Sequence, residues 1–253
     1  HEVSSLIKEA KKPLIIFGQS SLKTKSAKYI FESVKSFLKK NHKMSDEWNS
    51  LNTISENAST AGSFDLGLYK TVDGSNEVLK DLENHMFEIV YLLGVDNLKF
   101  EKKNEFIIYQ GSHGDKGAEI ADIILPGAAY TEQNGYFTNL EGKIQKAYKA
   151  SFPPEEAKED WLIINELAET MNHRKLFNDK DELDSSLLNQ INLFIEKDKS
   201  IKSSTVENLE FKQEILKVEN EDYYYSNAIA RASKTMLECK TAKVNLKLTG
   251  TEG

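Results

Sequence analysis

His113 is the residue that a search for catalysis meets first. It lies in Gly111-Ser112-His113-Gly114-Asp115-Lys116-Gly117, with a hydroxyl before it and a carboxylate after it. A Ser-His-Asp relay needs its three groups to converge in space, and neighbours within one loop seldom reach that geometry. The glycines point instead to a turn whose backbone passes close to another segment. His113 is expected to brace that turn through hydrogen bonds to a neighbouring segment.

Glu132 and Glu141 could form an acid–base pair, but such pairs are defined by separation in space, which spacing in sequence does not give. His42, His85 and His173 are too scattered for a metal site, and no HxxxH or HExxH pattern occurs. Asp122 interrupts the apolar run Ile120–Leu125, where an unpaired carboxylate would be costly. It is therefore expected to accept hydrogen bonds at the strand edge. Cys239 falls at helical spacing from Met236 and reads as packed rather than reactive. Tyr223-Tyr224-Tyr225 could stack on bases or anchor into a partner protein, and the acidic balance of the chain favours the anchor. The residues thus assign no catalytic, cofactor-binding or metal-ligating position.

The elements that would carry these groups follow from hydrophobic patterning. Pro13–Gly18, Glu88–Gly94, Phe106–Tyr109 and Ile120–Leu125 are short apolar runs closed by Gly or Pro, the pattern of buried strands. Val3–Lys12 reads as an amphipathic lead-in. A helix capped by Ser20 or Ser21 is expected over 24–40, with Ala27, Ile30, Phe31, Val34, Phe37 and Leu38 on one face. Gly18 before it suits a phosphate turn or simply a tight turn. Further helices are expected near 47–60, over 76–84 and over Ala157–Met171, the last with a stripe of Trp161, Ile164, Leu167, Ala168 and Met171. Thr131–Lys149 reads as a hairpin or arm, with turns at Gly135 and Gly142 and with Tyr136, Phe137 and Ile144 inward. Near-continuous apolar strands with crossovers predict an α/β fold, a Rossmann-like and mostly parallel sheet with flanking helices. Domain limits are expected at 1–172 for that fold and 173–253 for a helical or extended C-terminal tail. The best helix of the tail runs from Asn227 to Lys240, with Ile229, Ala232, Met236 and Cys239 inward.

The chain has 253 residues, 33 Lys plus Arg against 40 Asp plus Glu, and a net charge of −7. An acidic chain with Arg only at 174 and 231 argues against nucleic acid, which asks for a basic face. No run approaches the ~18–20 apolar residues of a membrane span, so no direct membrane insertion is expected. One cysteine leaves no internal disulfide and no self-contained iron–sulfur cluster, which takes four thiolates. An opening residue of His1 is expected of a processed or partial chain.

Residues 121–145, ADIILPGAAYTEQNGYFTNLEGKIQ, resemble the signature of the molybdopterin oxidoreductase superfamily. That signature reads roughly ADxxLP, then Glu, Gly, an aromatic, Asn and Glu-Gly-Arg-x-Gln. The wider stretch 107–132, IIYQGSHGDKGAEIADIILPGAAYTE, is similar to one branch of it, the large iron–sulfur subunit of respiratory complex I in its mitochondrial and related bacterial form. Asp222–Met236 resembles the C-terminal tail of that subunit, and Trp48 and Phe64-Asp65-Leu66-Gly67 fit more loosely.

The resemblance implies the C-terminal region of that subunit, which keeps the fold without the cofactor. Glu132, Asn139 and Glu141 would then fix the turns of a shared structural motif. Lys143 stands where the family usually has Arg, and loss of the bidentate fork weakens any grip on a pterin phosphate. No cofactor is expected in this chain, with iron–sulfur clusters and FMN in partner chains. The implied partners are the cysteine-rich N-terminal half of the subunit on a separate chain and other peripheral-arm subunits. The implied location is the matrix side of the mitochondrial inner membrane. The alternative is part of an active molybdopterin enzyme of formate dehydrogenase type. An unrelated nucleotide-binding domain would want a phosphate loop, and neither GxGxxG nor a Walker pattern occurs.

Overall fold

The computed structural model describes residues 2–45, 47–55, 57–58, 60–68, 78–98, 100–198, 209–214 and 222–248. They form two compact units. One takes 1–69, 136–145 and 187–218, and the other takes 70–135, 146–186 and 219–253.

The first unit opens with helix α1 (Glu2–Glu9), strand β1 (Ile15–Gly18) and the single turn α2 (Gln19–Leu22). Helix α3 (Ala27–Lys40) follows, then β2 (Leu51–Ile54) and α4 (Thr60–Asp65). Phe17, Leu38 and Leu51 are its buried core, and Ile30, Phe31 and Val34 of α3 pack against them. The 3–4 spacing of those residues is what buries that face of α3. The helix begins later than Ser20 or Ser21, because α2 intervenes. Its N-cap is Ser26, whose hydroxyl bonds the backbone of Lys212 rather than capping the helix.

The helix expected near 47–60 is not formed. Leu51–Ile54 is instead a strand parallel to β1, with Ile15 paired to Leu51. Trp48 Nε1 donates to the Pro13 carbonyl at 2.9 Å, and Ile15 N–H to the Ser50 carbonyl at 2.8 Å. These long-range bonds, with β-branched Thr53 and Ile54, outweigh local helix propensity.

The second unit holds α5 (Val78–Glu83), β3 (Ile89–Leu93), β4 (Phe106–Gly111), α6 (Lys116–Glu119) and β5 (Ile123–Pro126). The start of the helix expected from Asn76 lies outside the described residues. All three strands are parallel in the order β3-β4-β5. The α/β reading holds, with parallel strands in two separate sheets among the described residues. Gly94 closes β3 at φ +63°, a left-handed turn that suits glycine.

Strands β6 (Gly135–Thr138) and β7 (Ile144–Ala147) form the expected hairpin, and Gly142 turns it at φ +79°. Gly135 starts a strand instead of making a turn, and Phe137 is exposed. Helix α7 (Asp160–Asn172) buries Ile163 and Asn165, while Leu167 and Met171 face solvent, contrary to the expected stripe. Asn165 is the reason: its Oδ1 accepts from the N–H groups of Leu176 and Phe177, and its Nδ2 donates to the Phe177 carbonyl. A buried side-chain amide that satisfies the following turn fixes which face points inward.

After α8 (Lys180–Asp198), a 3-10 turn at Tyr223–Tyr225 leads to α9 (Ala228–Ala232) and α10 (Lys234–Leu248). Residues 199–208 and 215–221 of the expected tail lie outside the described residues. The helix expected from Asn227 to Lys240 breaks at Ser233, which caps α10 through Oγ, while Asn227 caps α9. Ile229, Ala232 and Cys239 are exposed, so only Met236 of the expected inward set is partly buried. Among the described residues no helix is long and apolar enough to cross a membrane.

His42, His85 and His173 share a role that their scatter does not suggest. Each ends a helix in a left-handed conformation, at φ 53°, 58° and 56°. That is the position where a helix leaves its last carbonyls to be satisfied.

Candidate functional site

The three-stranded sheet ends, at its carboxyl edge, in a cleft of ≈ 650 Å³. Gly111 at the end of β4, with Ser112 and His113, forms one side, and Pro126 at the end of β5, with Gly127, Ala129 and Glu132, forms another. Pro154–Ala157, just before α7, close the third side. Ligands of open α/β sheets bind at this edge.

The loop after β4 is held from inside. Tyr109 is buried, and its hydroxyl donates to the His113 carbonyl at 2.9 Å. The His113 ring meets Ser112 Oγ at 2.9 Å through Nδ1. Asp115, the would-be third member of a triad, binds Arg231 Nε at 2.5 Å. The Ser-His-Asp neighbours therefore do not form a relay, and His113 serves the turn through Ser112 and Tyr109 of its own loop and strand rather than through the neighbouring segment expected.

The remaining acids divide by task. Glu132 accepts the Ala129 N–H at 2.9 Å and closes the turn after β5. Asn139 Oδ1 takes the N–H groups of Glu141 and Lys143, at 3.0 and 2.9 Å, and shapes the hairpin turn. Glu141 enters that turn through its backbone, with its side chain at the surface.

Asp122 accepts from Lys102 Nζ at 2.5 Å and from the Ile107 N–H at 2.7 Å. The lysine first, then the amide, hold its carboxyl below the usual aspartate range. Its contribution to stability is therefore fully present above the unfolded value of about 3.9 and is lost as pH falls through the lower folded value. Replacing Asp122 by Asn should flatten the acid limb of a stability–pH curve measured by urea unfolding. An unchanged acid limb would mean that other carboxylates set it.

Two constellations toward the carboxyl end of the sheet, outside the cleft lining, have no pattern in the sequence to announce them. In the first, buried Gln110 donates through Nε2 to Asp160 Oδ1 at 2.8 Å and accepts the Tyr91 hydroxyl through Oε1 at 2.5 Å. Gln133 completes it, giving Nε2 to Asp160 Oδ2 at 2.8 Å and taking the Asp160 N–H on Oε1. Burial, then Asp160, push the Tyr91 hydroxyl pKa up. This network ties β3, β4 and the turn after β5 to the first turn of α7. A glutamine ending an apolar strand is its only local signal.

The second is an arginine clasp. Arg231 Nε bonds Asp115, its NH2 lies 3.4 Å from Asp96 Oδ1, and its NH1 donates to the Tyr225 carbonyl at 3.1 Å. One guanidinium thus joins the loops after β3 and β4 to the Tyr223–Tyr225 turn and α9. A planar fork with several fixed donors does this where lysine, a single point charge, cannot. Below it Asp222 pairs with Lys240, whose ammonium lies 4.0 Å from the Tyr225 ring centroid. An Arg in a chain where Lys supplies nearly all positive charge is the signal available. Replacing Arg231 by Met should release residues 222–248, seen as hydrogen exchange at least about tenfold faster there while β4 stays protected. It should also raise the Tyr109 pKa further, because burial first, then Asp96 and Asp115, already raise it and Arg231 opposes them. Equal exchange in both proteins would show that other contacts hold the segment.

Residues 1–170 match the family model described as molybdopterin oxidoreductase. Residues 192–239 match a model for the C-terminal region of an NADH-ubiquinone oxidoreductase subunit. The chain is similar to "NADH-ubiquinone oxidoreductase 75 kDa subunit" of Reclinomonas americana, 34% identical over 95% of this chain and 36% of that protein. It is 38% identical to an NADH-quinone oxidoreductase subunit of Rickettsia bellii, over 99% of this chain and 36% of that one. The mitochondrial "NADH-ubiquinone oxidoreductase 78 kDa subunit" of Candida albicans is 34% identical over 94% and 34%. The chain spans about a third of the length of these relatives.

The cleft does not fit a molybdopterin. Such a cofactor carries phosphate, and the charged side chains lining the cleft are Glu132, Glu155 and Glu156, with no Lys or Arg among the lining residues. Carboxylates facing phosphate repel it. Among the described residues no group of three or more His, Cys, Asp or Glu is placed to hold a metal ion.

Proposed function

The chain belongs to the molybdopterin oxidoreductase family, and from that premise we propose that it is a non-catalytic, structural part of the large subunit of complex I. As such it forms the C-terminal part of the subunit in the peripheral arm, on the matrix side of the mitochondrial inner membrane. It buttresses the cysteine-rich part that bears the iron–sulfur clusters and keeps electron-transfer distances between NADH and ubiquinone fixed. That part, carried on a separate chain, and other peripheral-arm subunits are its partners. FMN and the clusters reside in those partners.

The observation that carries the reading is the order of two matches along one chain. A molybdopterin-type α/β unit is followed by the C-terminal region of an NADH-ubiquinone oxidoreductase subunit. The acidic cleft supports the loss of the phosphorylated cofactor, and the arginine clasp gives the tail region a fixed seat on the loops beside it. Metal analysis of the purified native assembly tests the choice against an active molybdopterin enzyme. Iron without molybdenum is the expected result. Molybdenum in stoichiometric amount with this chain would overturn it.

A further inference from the structure

Parallel sheets are, as a rule, covered on both faces. The β3-β4-β5 sheet has one face packed along β3 and β4, with Ile124 of β5, beside Tyr109, still 55% exposed. Val90 stands opposite Ile107, and Leu92 opposite Tyr109. On that face Leu92, Ile107 and Tyr109 are buried under Leu98, Phe100, Ala118, Ile120 and Ala121.

Among the described residues, the Tyr91–Gln110–Asp160 network covers the other face toward its carboxyl end, where Leu93 at the edge remains 47% exposed. At its amino end the register sets Ile89 beside Phe106 and Ile108 beside Ile123. Ile89 is 65% exposed, Phe106 43% and Ile123 44%. Phe87, two residues before Ile89 and so on the same side by strand periodicity, is 38% exposed. Scattered apolar side chains need no explanation, but adjacent ones on three neighbouring strands mark a surface that something covers.

The relatives aligned with nearly all of this chain have about two thirds of their length outside the match. We propose that the amino-end face of this sheet is the docking surface for an amphipathic helical layer from that remaining part, the cluster-bearing part in the proposed function, on which this inference rests. The chemistry is apolar against apolar, since no charged residue interrupts the Ile89, Phe106 and Ile123 row. Helices are the layer that completes a parallel sheet.

The test places a single thiol on the face. Full-length chain carrying Ile123→Cys and Cys239→Ser is expressed in its native cells. Maleimide labelling is then compared in the free chain and in the assembly with NADH dehydrogenase activity. Labelling at 123 should be rapid in the free chain and at least about tenfold slower in the assembly, as in the dry centre of an interface. Hydroxyl-radical oxidation of Ile89 and Phe106 in the wild-type chain gives the same comparison without a substitution. Equal labelling in both states overturns this inference and leaves the proposed function standing. So does protection already present in the free chain, or protection that rises with its concentration, the mark of a second copy. Absence of the wild-type chain from the assembly overturns the proposed function and this inference with it.

Discussion

Replacing Gly117 by alanine should lower the stability of the chain by about 3 kcal/mol, one of the largest effects available to a single methyl group. A Cβ at this position would lie 2.5 Å from the Val95 carbonyl oxygen and 2.9 Å from the Tyr109 ring. Neither neighbour can give way cheaply. Val95 follows Gly94 in the tight turn that ends β3, and the Gly117 N–H itself bonds the next carbonyl, that of Asp96. Tyr109 is buried and tethered through its hydroxyl to the His113 carbonyl. The alanine would force apart the loops after β3 and β4, which also carry Asp96 and Asp115 for the arginine clasp. Gly114, in the loop just before α6, has nothing within 4 Å of a built Cβ. Gly114→Ala should therefore change stability by no more than about 0.5 kcal/mol. Urea unfolding of both variants checks the pair. Equal midpoints would show that the close approach at Gly117 does not limit packing.

Replacing Gln110 by leucine should cost about 1–3 kcal/mol, because it removes the buried shared partner of two half-buried polar groups while nearly preserving shape. The Tyr91 hydroxyl would lose its acceptor, and Asp160 Oδ1 would lose a donor. The penalty belongs to the groups left behind, so removing one of them should recover part of it. Tyr91→Phe in the Gln110→Leu background should be more stable than Gln110→Leu alone by about 1 kcal/mol. Additive losses in the double variant would contradict the network. A milder single loss would mean that water replaces the amide.

What is legible in the sequence follows from the range of the interactions involved. The strands near 15, 89, 106 and 123 are visible because each is an apolar run closed by Gly or Pro. Their parallel pairing is legible in near-continuous apolar runs joined by crossovers. The glycines of the loop after β4 read as close approach, which Gly117 bears out, and Asp122 as a hydrogen-bonded carboxylate. Strand β2 is not visible, since the Trp48 bond to Pro13 that helps seat it beside β1 spans 35 residues. The inward face of α7 escapes a count of apolar residues, because the buried Asn165 looks like polar surface. The continuous helix expected at 227–240 fails at Ser233, whose side chain caps the next helix. Cys239, inward by spacing, lies on the exposed side. Toward the carboxyl end of the sheet, the Arg231–Asp115 and Gln110–Asp160 partners are separated by 116 and 50 residues. No local pattern announces a pair at such distances. The positive-φ histidines are hidden for a different reason, since helix-ending geometry depends on backbone conformation more than on residue type.

A structural part of complex I must travel with the complex. Native-gel separation of solubilised mitochondrial membranes, with mass spectrometry of the band that oxidises NADH, tests this most directly. Peptides of this chain should appear in that band together with a cysteine-rich, cluster-bearing partner. Recovery of the chain only in the soluble fraction, or with a molybdenum-containing assembly, would contradict the proposed role and leave the family likeness as shared ancestry alone.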